Sequence, residues 1–258
     1  MKDFANIISW YILAGVDEIC DEQTHNFLTV EATSDFAEKN RNKNENYRPA
    51  TTLLAQESTA ACLNAHDLCD KAQNLDELKT MVENFKGCTL KFSANSTVFG
   101  FGNYNADVMI IGEAPGADED RIGKPFVGRS GQLLNKMLAA ISLKREDCYI
   151  TNVLPWRPPG NRTPTDSEVA VCLPFLEKQI ELVNPQIILL LGASAAAAVL
   201  KVNEGISALR GHLLSYKMAN GEQISVIASF HPAYLLRSGS QKAKAWSDML
   251  RLQRELAE

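Results

Sequence analysis

The six cysteines (Cys20, Cys62, Cys69, Cys88, Cys148 and Cys172) include no CxxC pair, and the four histidines are dispersed along the 258 residues. Those absences exclude a dithiol redox motif and a zinc site of ordinary ligand spacing. A disulfide framework is not expected in a chain of this size, so reduced thiols and a cytoplasmic location are. Long apolar runs are lacking too. Ile7 to Val16 is far shorter than the roughly 20 residues a membrane-spanning helix needs. It follows a lone Lys2 and leads into Asp17 and Glu18 with no small-residue cleavage site, which argues against a signal peptide. No G-x-x-x-x-G-K-[ST] phosphate loop occurs, and GFGNYN at 100–105 precedes its strand and lacks the third glycine of a dinucleotide fingerprint. Basic charge is not in excess: the net charge is −5, so contact with nucleic acid would need a local patch. There is no internal repeat.

What remains is a chain that is 45% hydrophobic and 22% charged, enough for one ample core and a smaller appendage. Phe4, Ile8, Tyr11, Ile12 and Ile19 recur at helical spacing and predict an amphipathic helix over 4–19. Residues 31–59 are polar and poor in large apolar groups, the composition of a linker or loosely ordered segment. We therefore expect an N-terminal extension over 1–70 and one domain over 71–258. Asn74 with Glu77 opens a short helix whose apolar face is Leu75, Leu78, Val82 and Phe85. From residue 98 four short apolar runs follow: DVMIIG (107–112), CYITNVL (148–154), QIILLLG (186–192) and SVIASF (225–230). Between them lie helical patterns: one expected to be capped by Ser130, one opened by Thr165 and Glu168 with a kink or late start at Pro174, one from Ala193 and one from Gln241. Strands apolar on both faces and alternating with helices predict an α/β fold, a three-layer α/β/α sandwich around a central four-stranded parallel sheet.

The residues that packing does not require gather at the carboxyl ends of those strands, where open α/β sheets bind ligands. After the first strand comes GEAPGADEDRIGKPFVGRSG (112–131). Gly112 and Gly116 permit a sharp turn close to a ligand, and Glu113 either caps a helix or faces a water or developing cation. Phe126 is either a plug over the core or a platform for a base. Asn152, at the end of the second strand, is either satisfied by backbone or reads a ligand, and its donor and acceptor match the O4 and N3–H of uracil. His231 leads HPAYLL after the fourth strand, ahead of Leu235, Leu236 and Arg237. Two leucines at a loop tip are either buried or serve as a wedge between bases. Arg121, Lys124, Arg129, Arg157, Arg162, Arg210, Arg237, Lys242 and Lys244 lie in these same segments, as solvated charge or as phosphate contacts.

Four ordered motifs, GEAPGADEDRIGKPFVGRSGQLLN, YITNVLPWRPPGNRTP, PQIILLLGASAA and SFHPAYLL, resemble the uracil-DNA glycosylase superfamily, most closely its family 4, from about Phe85 to the C-terminus. The resemblance implies a glycosylase that flips uracil out of DNA and hydrolyses its N-glycosidic bond, leaving an abasic site. It implies catalytic roles for Glu113 at the attacking water and His231 at O2. Gly112, Ala114, Glu119, Phe126 and Asn152 would hold the base, Glu119 by excluding the thymine methyl. Arg157, Arg162, Leu235, Leu236 and Arg237 would contact DNA. Family 4 enzymes usually carry a [4Fe–4S] cluster on four cysteines. Here Cys88 and Cys172 match two of those positions, while Phe85 and Trp156 stand at the others. Trp156 first suggests a DNA-contacting aromatic. Against that pattern we expect no cluster and no other metal, with Phe85 and Trp156 packed into the vacated volume.

Three other readings compete. A branch of the superfamily crosslinks to uracil-DNA, but its histidine-bearing insertion is missing after GKPFVGRSG. A nucleotide-binding α/β domain would not need the Leu235–Leu236–Arg237 tip. A non-catalytic interaction module would dock through the N-terminal helix, and that helix is also where a protein partner of the enzyme would bind. The expected partner is uracil-containing DNA, single- or double-stranded, bound by a monomer with no membrane association.

Overall fold

The computed structural model describes residues 50–257, with side chains from Thr59 onward. The helix expected over 4–19 and Cys20 lie outside the described residues. Helix α1 (Ala50–Cys69) begins inside the polar stretch expected to be a linker, because from Ala50 the sequence turns rich in Ala and Leu, which favour helix. Its Ala65 and Cys69 join the domain core. Helix α2 (Leu75–Asn84) starts as expected: the Asn74 side chain accepts from the Glu77 N–H at 2.9 Å, and the Glu77 carboxylate accepts from the Gln73 N–H at 3.0 Å. A single turn, α3 (Leu90–Ser93), follows.

The sheet has six strands in the order β1-β3-β2-β4-β6-β5. Its centre is the expected parallel set: β2 (Val108–Gly112), β3 (Tyr149–Asn152), β4 (Ile187–Leu191) and β6 (Gln223–Ser229). Two antiparallel edge strands flank the expected four, β1 (Phe101–Gly102) on β3 and β5 (Leu213–Lys217) on β6. Neither carries an apolar run. β1 has two residues, and β5 alternates exposed and half-buried positions because only one neighbour covers it.

Alternation along the strands builds the two outer layers. Met109, Ile111, Ile188, Leu190, Val226 and Ala228 point to one face, under α1, α2, α6 (Asp166–Val183) and α7 (Ala193–Leu200). Val108, Ile110, Ile150, Leu189, Leu191 and Ile227 point to the other, under α5 (Arg129–Ala140) and α10 (Lys242–Glu255). Short helices α4 (Ala117–Ile122), α8 (Ile206–Leu209) and α9 (Pro232–Arg237) complete the order.

Two local expectations are corrected. Helix α5 is capped by Gly128, with no side-chain cap from Ser130. The Glu119 carboxylate instead accepts from the Gly128 and Val127 N–H groups, both at 2.9 Å. Helix α6 does not start late: it begins at Asp166 and continues through Pro174. Proline has no N–H to give the carbonyl four residues back. That carbonyl belongs to Ala170, and the Cys62 thiol of α1 donates to it at 3.5 Å. The α6 capping box is present as expected, with Thr165 and Glu168 bonded reciprocally.

The chain leaves β2 for β3 on one side and then returns to β4 on the other. Loops at the carboxyl end of β2 therefore diverge and leave a crevice.

Candidate active site

A cleft of about 360 Å³ occupies that crevice. Glu113, Ala114, Glu119 and Phe126 enter it from the β2 side, Asn152 and Arg162 from the β3 side, and His231 and Arg237 from the β6 side. Eight of the residues singled out in the sequence thus converge from three chain segments. Gly112, Arg157, Leu235 and Leu236 do not line it.

Gly112 makes the cleft possible from beneath. A Cβ there would stand 2.5 Å from Asn152 Oδ1 and 2.6 Å from Phe126 Cζ, so any other residue would displace both side chains. Asn152 is buried at the end of β3. Among the described residues its amide makes no hydrogen bond, so donor and acceptor remain available to the cleft. Such a group is costly to bury unless something meets it.

Phe126 is buried in a left-handed backbone conformation, φ +50°, which is unfavourable for a residue with a Cβ. Neighbours on two sides hold it there. Arg145 donates to the carbonyls of Pro125 at 2.6 Å and Phe126 at 3.0 Å, while Glu119 binds the next two N–H groups. Gly131 lets α5 pass, since a Cβ there would fall 1.8 Å from the Phe126 oxygen. The ring lies 5.6 Å from the His231 ring, centroid to centroid, at 31°.

His231 caps α9. Its Nδ1 accepts from the Ala233 N–H at 3.1 Å, which fixes the neutral tautomer with the proton on Nε2. Burial first, and then the positive charge of Arg237, push its pKa down from 6.5 to about 4 despite the opposing charge of Glu119. At neutral pH the ring is therefore an uncharged donor. The strand beneath it is anchored by Asp248, which accepts from Ser229 at 2.8 Å and pairs with Arg210 at 2.6 Å. The Arg210 guanidinium also lies 5.5 Å from the Phe230 ring centre.

The two leucines of the tip part company. Leu235 is 1% exposed, packed with Phe230 and Ala245, whereas Leu236 is 43% exposed beside Arg237. Leu235 is therefore not the surface wedge it was expected to be. Adjacent residues on a helix point about 100° apart, so one must face inward. Of the basic residues, Arg162 pairs with Glu168 at 2.6 Å, Arg121 with Asp118 at 3.3 Å, and Arg157 donates to Asn161 at 2.7 Å.

Away from the cleft, Trp156 is buried and stacks on Phe85 at 6.4 Å and 16°, and Phe85 meets Phe175 edge-on at 5.0 Å. The indole N–H donates to Thr97 at 3.0 Å. Cys88 and Cys172, both buried, lie in the same core cluster, and the influence of Cys172 holds the Cys88 thiol below its ordinary value. The influence of Cys88 first, and then burial, push Cys172 up. Among the described residues no group of three or more His, Cys, Asp or Glu side chains is placed to hold a metal ion. No described helix is long and apolar enough to cross a membrane.

Arg145 and Asp248 were not legible as site residues. Each is one charge among many in the sequence, and only the fold brings it to the loop it holds. Tyr234 and Pro158, which also line the cleft, had a signal in their places in the HPAYLL motif and beside Arg157.

Residues 99–250 match the family model of the uracil DNA glycosylase superfamily. The chain is 39% identical over 184 residues to a type-4 uracil-DNA glycosylase of Archaeoglobus fulgidus, covering 70% of this chain and 92% of the relative. It is 41% identical over 164 residues to the type-4 enzyme of Thermotoga maritima, covering 63% and 83%. A type-5 uracil-DNA glycosylase of Pyrobaculum aerophilum is 34% identical over 167 residues, covering 58% and 72%.

Proposed function

Since this chain belongs to the uracil-DNA glycosylase superfamily, we propose that its cleft receives a uracil flipped out of DNA and that each convergent side chain meets one part of it. The protein is a DNA N-glycosylase acting on uracil. Phe126 stacks on the base. Asn152 donates to O4 and accepts from N3–H, which is what its unbonded amide offers. Glu113 holds a water against C1′. As the C1′–N1 bond breaks, the sugar takes on positive charge and the base negative charge. Glu113 stabilises the first and His231 Nε2–H the second through O2. The water adds its hydroxyl to C1′ and gives up a proton, the base leaves as an anion that is reprotonated, and an abasic site remains. Leu236 and Arg237 occupy the space the base leaves.

One observation carries this reading: a neutral histidine donor, an unbonded amide and a clamped aromatic ring line one cleft at the carboxyl end of β2. A uracil-bearing oligonucleotide, scored for alkali-labile abasic sites against thymine and cytosine controls, tests it. His231→Ala and Asn152→Ala should each lose on the order of 10²–10³ in rate with the fold intact. Wild-type turnover in both sinks the assignment. A denaturant-resistant adduct with the oligonucleotide would indicate crosslinking in place of turnover.

The residues at the family's cluster position do not fit a [4Fe–4S] group. Two thiols stand beside two packed aromatic rings, and two thiolates do not complete a four-cysteine ligand set. No step of the reaction runs through a cluster. Protein purified without oxygen should contain no stoichiometric iron and no iron–sulfur absorbance band; finding both overturns this.

A further inference from the structure

Beside the cleft an apolar groove of about 260 Å³ opens between α5 and α10. Leu133, Met137, Leu235, Ala245 and Met249 form its floor, and Trp246, 42% exposed, forms one wall. Lys136 and Lys242 line it as well, and no carboxylate does.

Two elements join this groove to the cleft. On α5, Ser130 lines the cleft and Leu133 the groove, one turn or about 5 Å further along the helix. On α9, Tyr234 and Arg237 face the cleft while Leu235 underlies the groove. A DNA strand whose uracil enters the cleft and which then crosses α9 would carry its next nucleotides over the groove. We propose that the groove binds an unpaired nucleobase of the same strand beside the uracil, its face on Trp246 and the adjoining phosphates against Lys136 and Lys242. The proposal rests on the uracil-DNA reading of the cleft and adds a substrate class to it.

The chemistry selects this occupant. Stacking on an indole needs a flat apolar face, and a cationic rim free of carboxylates favours an anionic backbone. A paired base has both faces covered by its neighbours in the duplex, so only a single-stranded or frayed flank can fill the site. The groove therefore makes the protein prefer single-stranded DNA on that side of the lesion.

The experiment measures binding of a uracil-free, fluorescein-labelled oligo-dT by anisotropy, alongside turnover of a uracil oligonucleotide in single- and double-stranded form. Trp246→Ala should weaken oligo-dT binding about 5- to 50-fold, and Trp246→Phe should restore most of it. KM for the single-stranded uracil substrate should rise by the same factor with kcat unchanged, while the duplex substrate is unaffected. Replacing Lys136 and Lys242 by Glu should add a further loss that grows as salt is lowered. Equal binding by wild type and Trp246→Ala overturns the proposal, and so does an equal loss on duplex. A peptide of bulky apolar and acidic residues that Trp246→Ala no longer binds, with DNA affinity unchanged, assigns the groove to a protein. Oligo-dT binding that depends on Trp246 without any release of uracil would keep the groove and sink the enzyme reading instead.

Discussion

His231 can be a donor on Nε2 because Nδ1 is already occupied by the Ala233 N–H, so the helix that follows the ring also sets its tautomer. A midpoint of about 4 has a direct check: the imidazole signals of His231 should titrate near pH 4, well below the unperturbed 6.5. The sign for stability follows. Between about 6.5 and 4 the unfolded chain binds the proton and the folded one does not, so this group's contribution is complete above 6.5 and is lost as pH falls toward 4. A midpoint near 6.5 would mean the ring is solvated. Residues of this kind were the legible part of the site. Glu113, Asn152 and His231 lie at or just past strand ends, and Phe126 lies in the segment that follows the first strand. Leu235 was misread because sequence position alone does not say which of two adjacent leucines a six-residue helix turns inward.

At the scale of elements, the four parallel strands could be read from their apolar runs because helices cover both of their faces. The edge strands could not, since β5 is covered from one side and β1 is held by register against β3 alone. The start of α5 was misplaced by two residues because its N-cap, Gly128, is held by Glu119, nine residues away, a partner that local pattern does not contain. Pro174 was expected to bend its helix, and the Cys62 thiol explains why the helix continues. A sulfur donor is weak, so Pro174→Ala should be stabilising. The proline penalty of about 3 kcal/mol disappears, against about 1.6 kcal/mol for two buried methylenes lost. Tm should rise by a few degrees in calorimetry. A fall in Tm would show that the ring's packing outweighs the missing N–H.

Over the whole molecule, charge tells less than the count of basic residues suggested. Of nine cations in the loop segments, Arg121, Arg162 and Arg210 are engaged with Asp118, Glu168 and Asp248. A footprint of about three to five phosphates should give log affinity against log salt a slope of roughly −2 to −4 on single strands, and Arg237→Ala should shallow it by about 0.7. A slope steeper than about −6 would mean the ion pairs open on DNA. The clamp on Phe126 has a consequence at this same scale. Arg145 and Glu119 hold the ring without any help from DNA, so the slot is already shaped for a flat pyrimidine before the strand arrives. A slot of that kind does not distinguish a base still joined to its sugar from one already cut loose. Free uracil should compete for it, and the severed base should slow turnover for as long as it stays in the slot.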